Sequence, residues 1–458
     1  MTHQKFLRNS VWTGVLALCL ALPAGAATKP ASIKSTETVD LVGPFKVHRF
    51  KFNNGLKLLV IEDHSSPTFA YQTWYRVGSR DEVPGRTGLA HLFEHMMFKG
   101  TKDIKEGEFD RILEKNGVEG ENAFTTRDAT VYIQEMPQNA GKLDLIAKLE
   151  ADRMVNLVVN DKSFKTEREV VQNERRFRVE NSPEGQLHRG IFELAFTKHN
   201  YRWPVIGYEK DLAEMTSKDA LDFYKSFYGP TRATIVISGD VKADQAAEVV
   251  AKYYGDLPAT QLVDRRSENE PIQTQPRRKT LKLSMQVEKS VMAYHIPPIL
   301  HPDRPALEVL MMSLAGGKSS RLSKALVDTG LTTSIDTETG EDIDPTLFMF
   351  AYTMQKGKKA TAAEKVIHKE FDKISKTLMD AKELQRAKNQ LNFHFYGNLN
   401  TSFEKAYFVG LYESKAGAFE KALEFQKQIE KVTPEQVRNV AKKYLATSGY
   451  SVITGVPK

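Results

Sequence analysis

Thr216-Ser217-Lys218-Asp219-Ala220-Leu221-Asp222-Phe223-Tyr224-Lys225-Ser226-Phe227-Tyr228 reads as a helix opened by a threonine, and a strand over 233–238 with Gly239 follows it. The same order returns near the C-terminal end. There Val432-Thr433-Pro434 opens a helix that runs to Tyr444, and a strand over 450–454 ends at Gly455. Threonine stands at the N-cap position in both, where its hydroxyl accepts from a backbone N–H left free by the first turn. Eleven residues separate Thr216 from Phe227 and Thr433 from Tyr444. One supersecondary plan used twice accounts for this spacing. It predicts an α+β fold: two homologous α/β-sandwich-like domains, each a mixed or antiparallel sheet packed with helices, related by an internal repeat.

A chain of 458 residues exceeds one ordinary core, which agrees with two domains. Between the repeats, residues 257–278 are polar, contain Pro258, Pro271 and Pro276, and lack periodicity, so they read as a linker. The expected division is a polar leader over 27–44, a first domain over 45–256 and a second over 279–458. Within the first, strands over 47–52 and 56–62 flank the hairpin signature Asn53-Asn54-Gly55. A third strand covers 69–77 and a fourth 130–135, with helices over 88–97, 106–115, 142–157 and 162–178.

Residues 1–26 form a separate unit. Lys5 and Arg8 precede an apolar run over 11–22, and Ala24-Gly25-Ala26 gives a small-x-small cleavage pattern. This reads as a cleaved secretory signal peptide, too short for a membrane span. The only cysteine, Cys19, lies inside it, and Leu18 stands where a lipoprotein signal needs a small residue. A mature chain without cysteine excludes thiol proteases and thiolate zinc sites, and it suits a bacterial periplasm. No other stretch is apolar and long enough to cross a bilayer. Two of the 65 basic residues and none of the 58 acidic ones fall in the signal, so the mature charge is +5, from 63 against 58. Arg175-Arg176 and Arg277-Arg278-Lys279 have acids nearby and read as solvated faces, so nucleic acid is not an expected partner.

The chemistry lies in Thr87-Gly88-Leu89-Ala90-His91-Leu92-Phe93-Glu94-His95-Met96-Met97-Phe98-Lys99-Gly100. Thr87 is suited to cap this helix and Gly100 to end it. Positions i, i+3 and i+4 share a face, so His91, Glu94 and His95 project together while Leu92 and Phe93 turn inward. Two imidazoles at i and i+4 make a mount for one Zn2+ per chain, and the carboxylate beside them can take a proton from water. The order His-x-x-Glu-His is the inverzincin signature. A hydrolytic site needs a third ligand and an open position. Glu167 and Glu174, seven residues apart on the 162–178 helix, fall on one face, offset by about 20°. One can bind the metal while the other accepts a histidine ring N–H.

These motifs resemble the pitrilysin family, which includes insulin-degrading enzyme and the mitochondrial processing peptidase. The resemblance covers most of the mature chain and includes Gly78-Ser79-Arg80-Asp81-Glu82 and Asn122-Ala123-Phe124-Thr125. It implies that His91, His95 and Glu174 bind zinc, that Glu94 is the general base and that Glu167 supports the ligands. It also implies that Asn122 and Ala123 lie on an edge strand that pairs with extended peptide. The first domain is then catalytic and the second, with Gly316-Gly317-Lys318-Ser319-Ser320-Arg321-Leu322, is the family's non-catalytic repeat. The family places an arginine and a tyrosine shortly beyond that turn to hold the substrate carbonyl. Val327 (or Leu326) and Thr333 stand at those positions here. The expected function is therefore a periplasmic zinc endopeptidase for peptides or unfolded polypeptides, acting as the zinc-bearing subunit of a heterodimer whose related partner supplies the Arg/Tyr pair. A homodimer, and a catalytically silent peptide-binding or structural subunit of the same family, are the alternatives.

Overall fold

Short runs rich in β-branched and aromatic residues supply the strands. The computed structural model describes residues 32–139, 141–263, 267–446 and 448–458, and arranges these runs in two mixed sheets. The signal-peptide stretch over 1–26 lies outside the described residues. The first sheet contains β1 (Ile33–Asp40), β2 (Lys46–Phe52), β3 (Lys57–Glu62), β4 (Thr68–Tyr75), β5 (Glu119–Thr125), β6 (Thr130–Pro137) and β7 (Ala233–Gly239), in the order β1-β2-β3-β7-β4-β6-β5. The second contains β8 (Arg277–Leu283), β9 (Lys289–Ile296), β10 (Thr332–Thr339), β11 (Thr346–Met354) and β12 (Tyr450–Pro457), in the order β10-β11-β9-β12-β8.

The repeat read from the sequence is visible strand by strand. In the first sheet β3 and β7 are parallel, and β7–β4, β4–β6 and β6–β5 are antiparallel. In the second, β8 and β12 are parallel, and β12–β9, β9–β11 and β11–β10 are antiparallel. Two homologous α+β domains therefore share one five-strand plan, to which the first adds β1 and β2. Thr216 and Thr433 each close a capping box, with Asp219 and Gln436 respectively. Every residue of β7 is buried, because helices cover both faces of the first sheet.

One of those covering helices comes from the other half. Ser402–Ala416 lays Ala406, Phe408 and Val409 against Leu59, Trp74 and Val236 of the first sheet. In return, Pro183–Ala195 lays Leu187, Ile191 and Phe192 against Ala293, Met349 and Ile453 of the second. Each exchanged helix carries a glycine at the closest approach. A Cβ at Gly410 would fall on the Trp74 indole, and one at Gly190 on the Ile453 side chain.

Several local expectations differ. The polar stretch read as a leader contains β1, whose pairing with β2 holds it although its side chains are mostly exposed. β8 begins at Arg277, inside the stretch read as linker, because β12 offers it a parallel edge. The expected 162–178 helix runs Asp161–Arg175 and then widens into a π-turn over Arg176–Glu180. Arg175 is buried rather than solvated: it donates to the Gly207 carbonyl at 2.9 Å and pairs with Glu180. No helix among the described residues is long and apolar enough to cross a membrane.

Candidate metal centre

The helix Leu89–Met96 is almost wholly buried and starts from Gly88 in a left-handed conformation (φ 92°). Thr87 does not cap it. The Thr87 hydroxyl donates to Asp211 at 2.6 Å, and the buried Glu82 carboxylate accepts from Gly88 N and Ala90 N, both at 2.9 Å. A side chain at Gly88 would collide with the Ile206 carbonyl, so that approach leaves glycine at the cap. The helix ends at Met96, and Gly100 (φ 99°) closes the turn beyond rather than the helix itself. Leu92 and Phe93 face inward as expected, with Phe93 stacked on Tyr224 at 5.1 Å. The opposite face then carries His91, Glu94 and His95.

The helix Asp161–Arg175 brings Glu174 to that face. His91 Nε2 is 3.7 Å and His95 Nε2 3.3 Å from Glu174 Oε2, and the two rings are 4.9 Å apart at 61°. One ligand atom from each of the three lies within 4.8 Å of the others. Two donors on a tetrahedral zinc stand about 3.4 Å apart, given bonds of about 2.1 Å. The donor set therefore fits that metal. Glu167 sits behind it, 3.4 Å from His95 Nδ1, and its other oxygen meets Lys99 Nζ at 2.7 Å. Glu94 accepts from the Thr125 hydroxyl at 2.6 Å.

The electrostatics divide the two imidazoles. Burial, and then His95, push His91 down to about 4, so it is neutral. Burial would lower His95 as well, but hydrogen bonds to Glu167 and Glu174 outweigh it and raise it to about 9. The His95 bond holds Glu174 below the usual carboxylate range. Glu167 is also lowered: its burial is outweighed by His95 and Lys99. Burial raises Glu94, opposed by the Thr125 hydrogen bond.

The structure thus brings together His91, His95, Glu174, Glu167 and Glu94. Asn122 and Ala123 lie on β5, the outer strand of the first sheet, and Asn122 Oδ1 accepts from Ala123 N at 2.9 Å. Val327 packs against the second core, and Thr333 is exposed at the start of β10. A cavity of about 450 Å³ opens beside the centre, lined by His91, Glu174, Thr125, Arg127, Arg178 and His188 among others. Sequence reasoning missed Thr125 as the partner of Glu94, although it closes the quoted Asn122–Thr125 motif. It also missed Arg178, one turn beyond Glu174 and 3.0 Å from its Oε1. No sequence signal marked Arg127 or His188.

The profile described as Insulinase (Peptidase family M16) matches residues 57–207, and that of the Peptidase M16 inactive domain matches residues 214–391. The zinc protease PqqE of Helicobacter pylori is 31% identical over 361 residues, covering 77% of this chain and 80% of that protein. The chain belongs to the insulinase family, peptidase family M16. An uncharacterised zinc protease of Streptomyces coelicolor is 26% identical over 87% of each chain. Among solved structures, a protease from H. pylori superposes with a TM-score of 0.83 at 29% identity, covering 92% of this chain and all of that one. The periplasmic protease PqqL of Escherichia coli shares the fold at 16% identity and a TM-score of 0.76; this chain covers 48% of it, about half its length.

Proposed function

We propose that this M16 chain is a periplasmic zinc endopeptidase that cleaves peptides or unfolded polypeptides. The observation that carries the reading is the convergence of His91, His95 and Glu174 from two helices, with Glu94 on the same face. When bound, zinc supplies Lewis acidity, which polarises a peptide carbonyl and acidifies water. The rest falls to the protein. His91 is held neutral by burial, the state in which an imidazole offers its lone pair. Glu167, itself tied to Lys99, orients His95 through Nδ1. Thr125 occupies Glu94 Oε2, so Oε1 is left to take a proton from water and return it to the leaving amine. Burial raises Glu94, which suits a group that must both accept and release a proton. Extended peptide would add to the open edge of β5 beside Asn122 and Ala123, each residue ordered by backbone bonds.

Val327 and Thr333 offer no charged or phenolic donor, so a related partner chain is proposed to supply the Arg/Tyr pair across a closed chamber. The fold-level likeness to one half of the double-length PqqL supports such pairing, as it does the periplasmic location. The test combines metal analysis with cleavage of an unstructured peptide, for the purified chain alone and with a co-expressed relative. Zinc at one per chain with cleavage that needs the relative is expected. Full activity alone would remove the partner, and zinc binding without cleavage in either preparation would leave a silent peptide-binding subunit.

A further inference from the structure

The cavity beside the metal centre contains a cation that has no ion-pair partner among the described residues. Arg127 lies in the turn between β5 and β6, two residues beyond Thr125, and lines the same cavity as His91 and Glu174. Its guanidinium stacks 3.7 Å from the centre of the Phe192 ring. Nε is buried without a hydrogen-bond partner, and among the described residues the guanidinium makes no hydrogen bond or ion pair. Its neighbours differ in this: Arg80 pairs with Asp344, Arg178 with Glu174 and Arg189 with Glu193.

An unpaired, half-buried charge is costly, and its contacts with the Phe192 ring and, at 6.0 Å, the Tyr201 ring recover only part of that cost. The cavity's own acids are already engaged. Glu174 faces His95 and Arg178, and Glu184 is bound to Lys289. Glu338 on β10 feels the Arg127 charge but makes no ion pair with it. His188 adds no charge, since burial and then Arg127 push it down to about 4. A planar fork of donors at the end of a substrate-edge strand matches a carboxylate better than a peptide carbonyl.

We infer that Arg127 binds a carboxylate of the peptide, an acidic side chain or the free C-terminus, and so makes acidity near the cleavage point a determinant of specificity. This rests on the peptidase reading of the same cavity and adds a substrate class to it.

The experiment uses the full zinc-loaded chain carrying Glu94→Gln, so that binding is read without turnover. Neutral decapeptides carry a single Glu or Gln walked through the sequence, each with a free or an amidated C-terminus. At one position, or at the C-terminus, the carboxylate form should bind about tenfold or more tightly than its neutral counterpart, the scale of a charge-assisted hydrogen bond. Whether the preference follows the side chain or the terminus identifies the source. Arg127→Ala should bring that ratio to about one, and Arg127→Lys should keep part of it. Absence of any preference in the Arg127 protein, or a preference that survives Arg127→Ala, overturns the inference. With the co-expressed relative present, cleavage by the wild type without discrimination would sink the role of Arg127 alone; no binding and no cleavage of any peptide in that preparation would sink the peptidase reading with it.

Discussion

Thr125, the last residue of an edge strand, donates its hydroxyl at 2.6 Å to Glu94, a helical carboxylate 31 positions earlier in the chain. The strand proposed to pair with substrate is thereby bonded to the proposed base. Removing the donor with the near-isosteric Thr125→Val takes away an interaction that lowers the Glu94 pKa, against burial that raises it. The Glu94 pKa should rise, so the acidic limb of the kcat/KM profile should move to higher pH. Activity near the old limb should fall about tenfold or more, the range for one hydrogen bond to a charged group. An unmoved limb would separate Thr125 from the base.

Glu94→Gln should keep full zinc occupancy and reduce turnover by about 10²-fold or more, the contribution of a positioned general base. Metal analysis beside peptide hydrolysis reads both. Zinc loss in this variant would instead make Glu94 part of the ligand set.

His91→Ala and Glu174→Gln should each weaken zinc binding severely. Glu167→Gln should weaken it about 10- to 100-fold, because Glu167 acts through the His95 ring. Competition with a chromophoric chelator ranks the three. Equal affinity in all of them and in the wild type would contradict the site.

Zinc uptake should release a proton. In the metal-free protein His95 is raised to about 9, hence protonated at neutral pH, and a ligating imidazole must give that proton up. The apparent affinity should therefore increase with pH, by about tenfold per unit, and level off as pH passes about 9. Calorimetry in buffers of different ionisation enthalpy counts the protons. An affinity that fell with rising pH over that range would reverse the assignment.

Gly410→Ala tests the exchanged helices. Alanine is the better helix former by about 1 kcal/mol, but its Cβ would meet the buried Trp74 indole, and overpacking of this kind costs about 1–3 kcal/mol. A lower Tm is expected, and a rise in Tm would mean the helix does not press on Trp74.

Periodicity and short motifs alone fixed the twofold plan, the face shared by His91, Glu94 and His95, and the placing of Glu167 and Glu174 on one side of their helix. These are local matters: helical spacing and threonine caps act within a few residues, so a linear reading reaches them. Contacts between distant segments were out of its reach. Glu82 capping the histidine helix, Thr125 holding Glu94, Arg175 buried against Gly207, and each half covering the other's sheet all join segments that only packing makes neighbours. Arg127 is the clearest case. Asp128 follows it in sequence, yet its guanidinium lies over Phe192, and only the folded structure leaves it without an ion pair among the described residues.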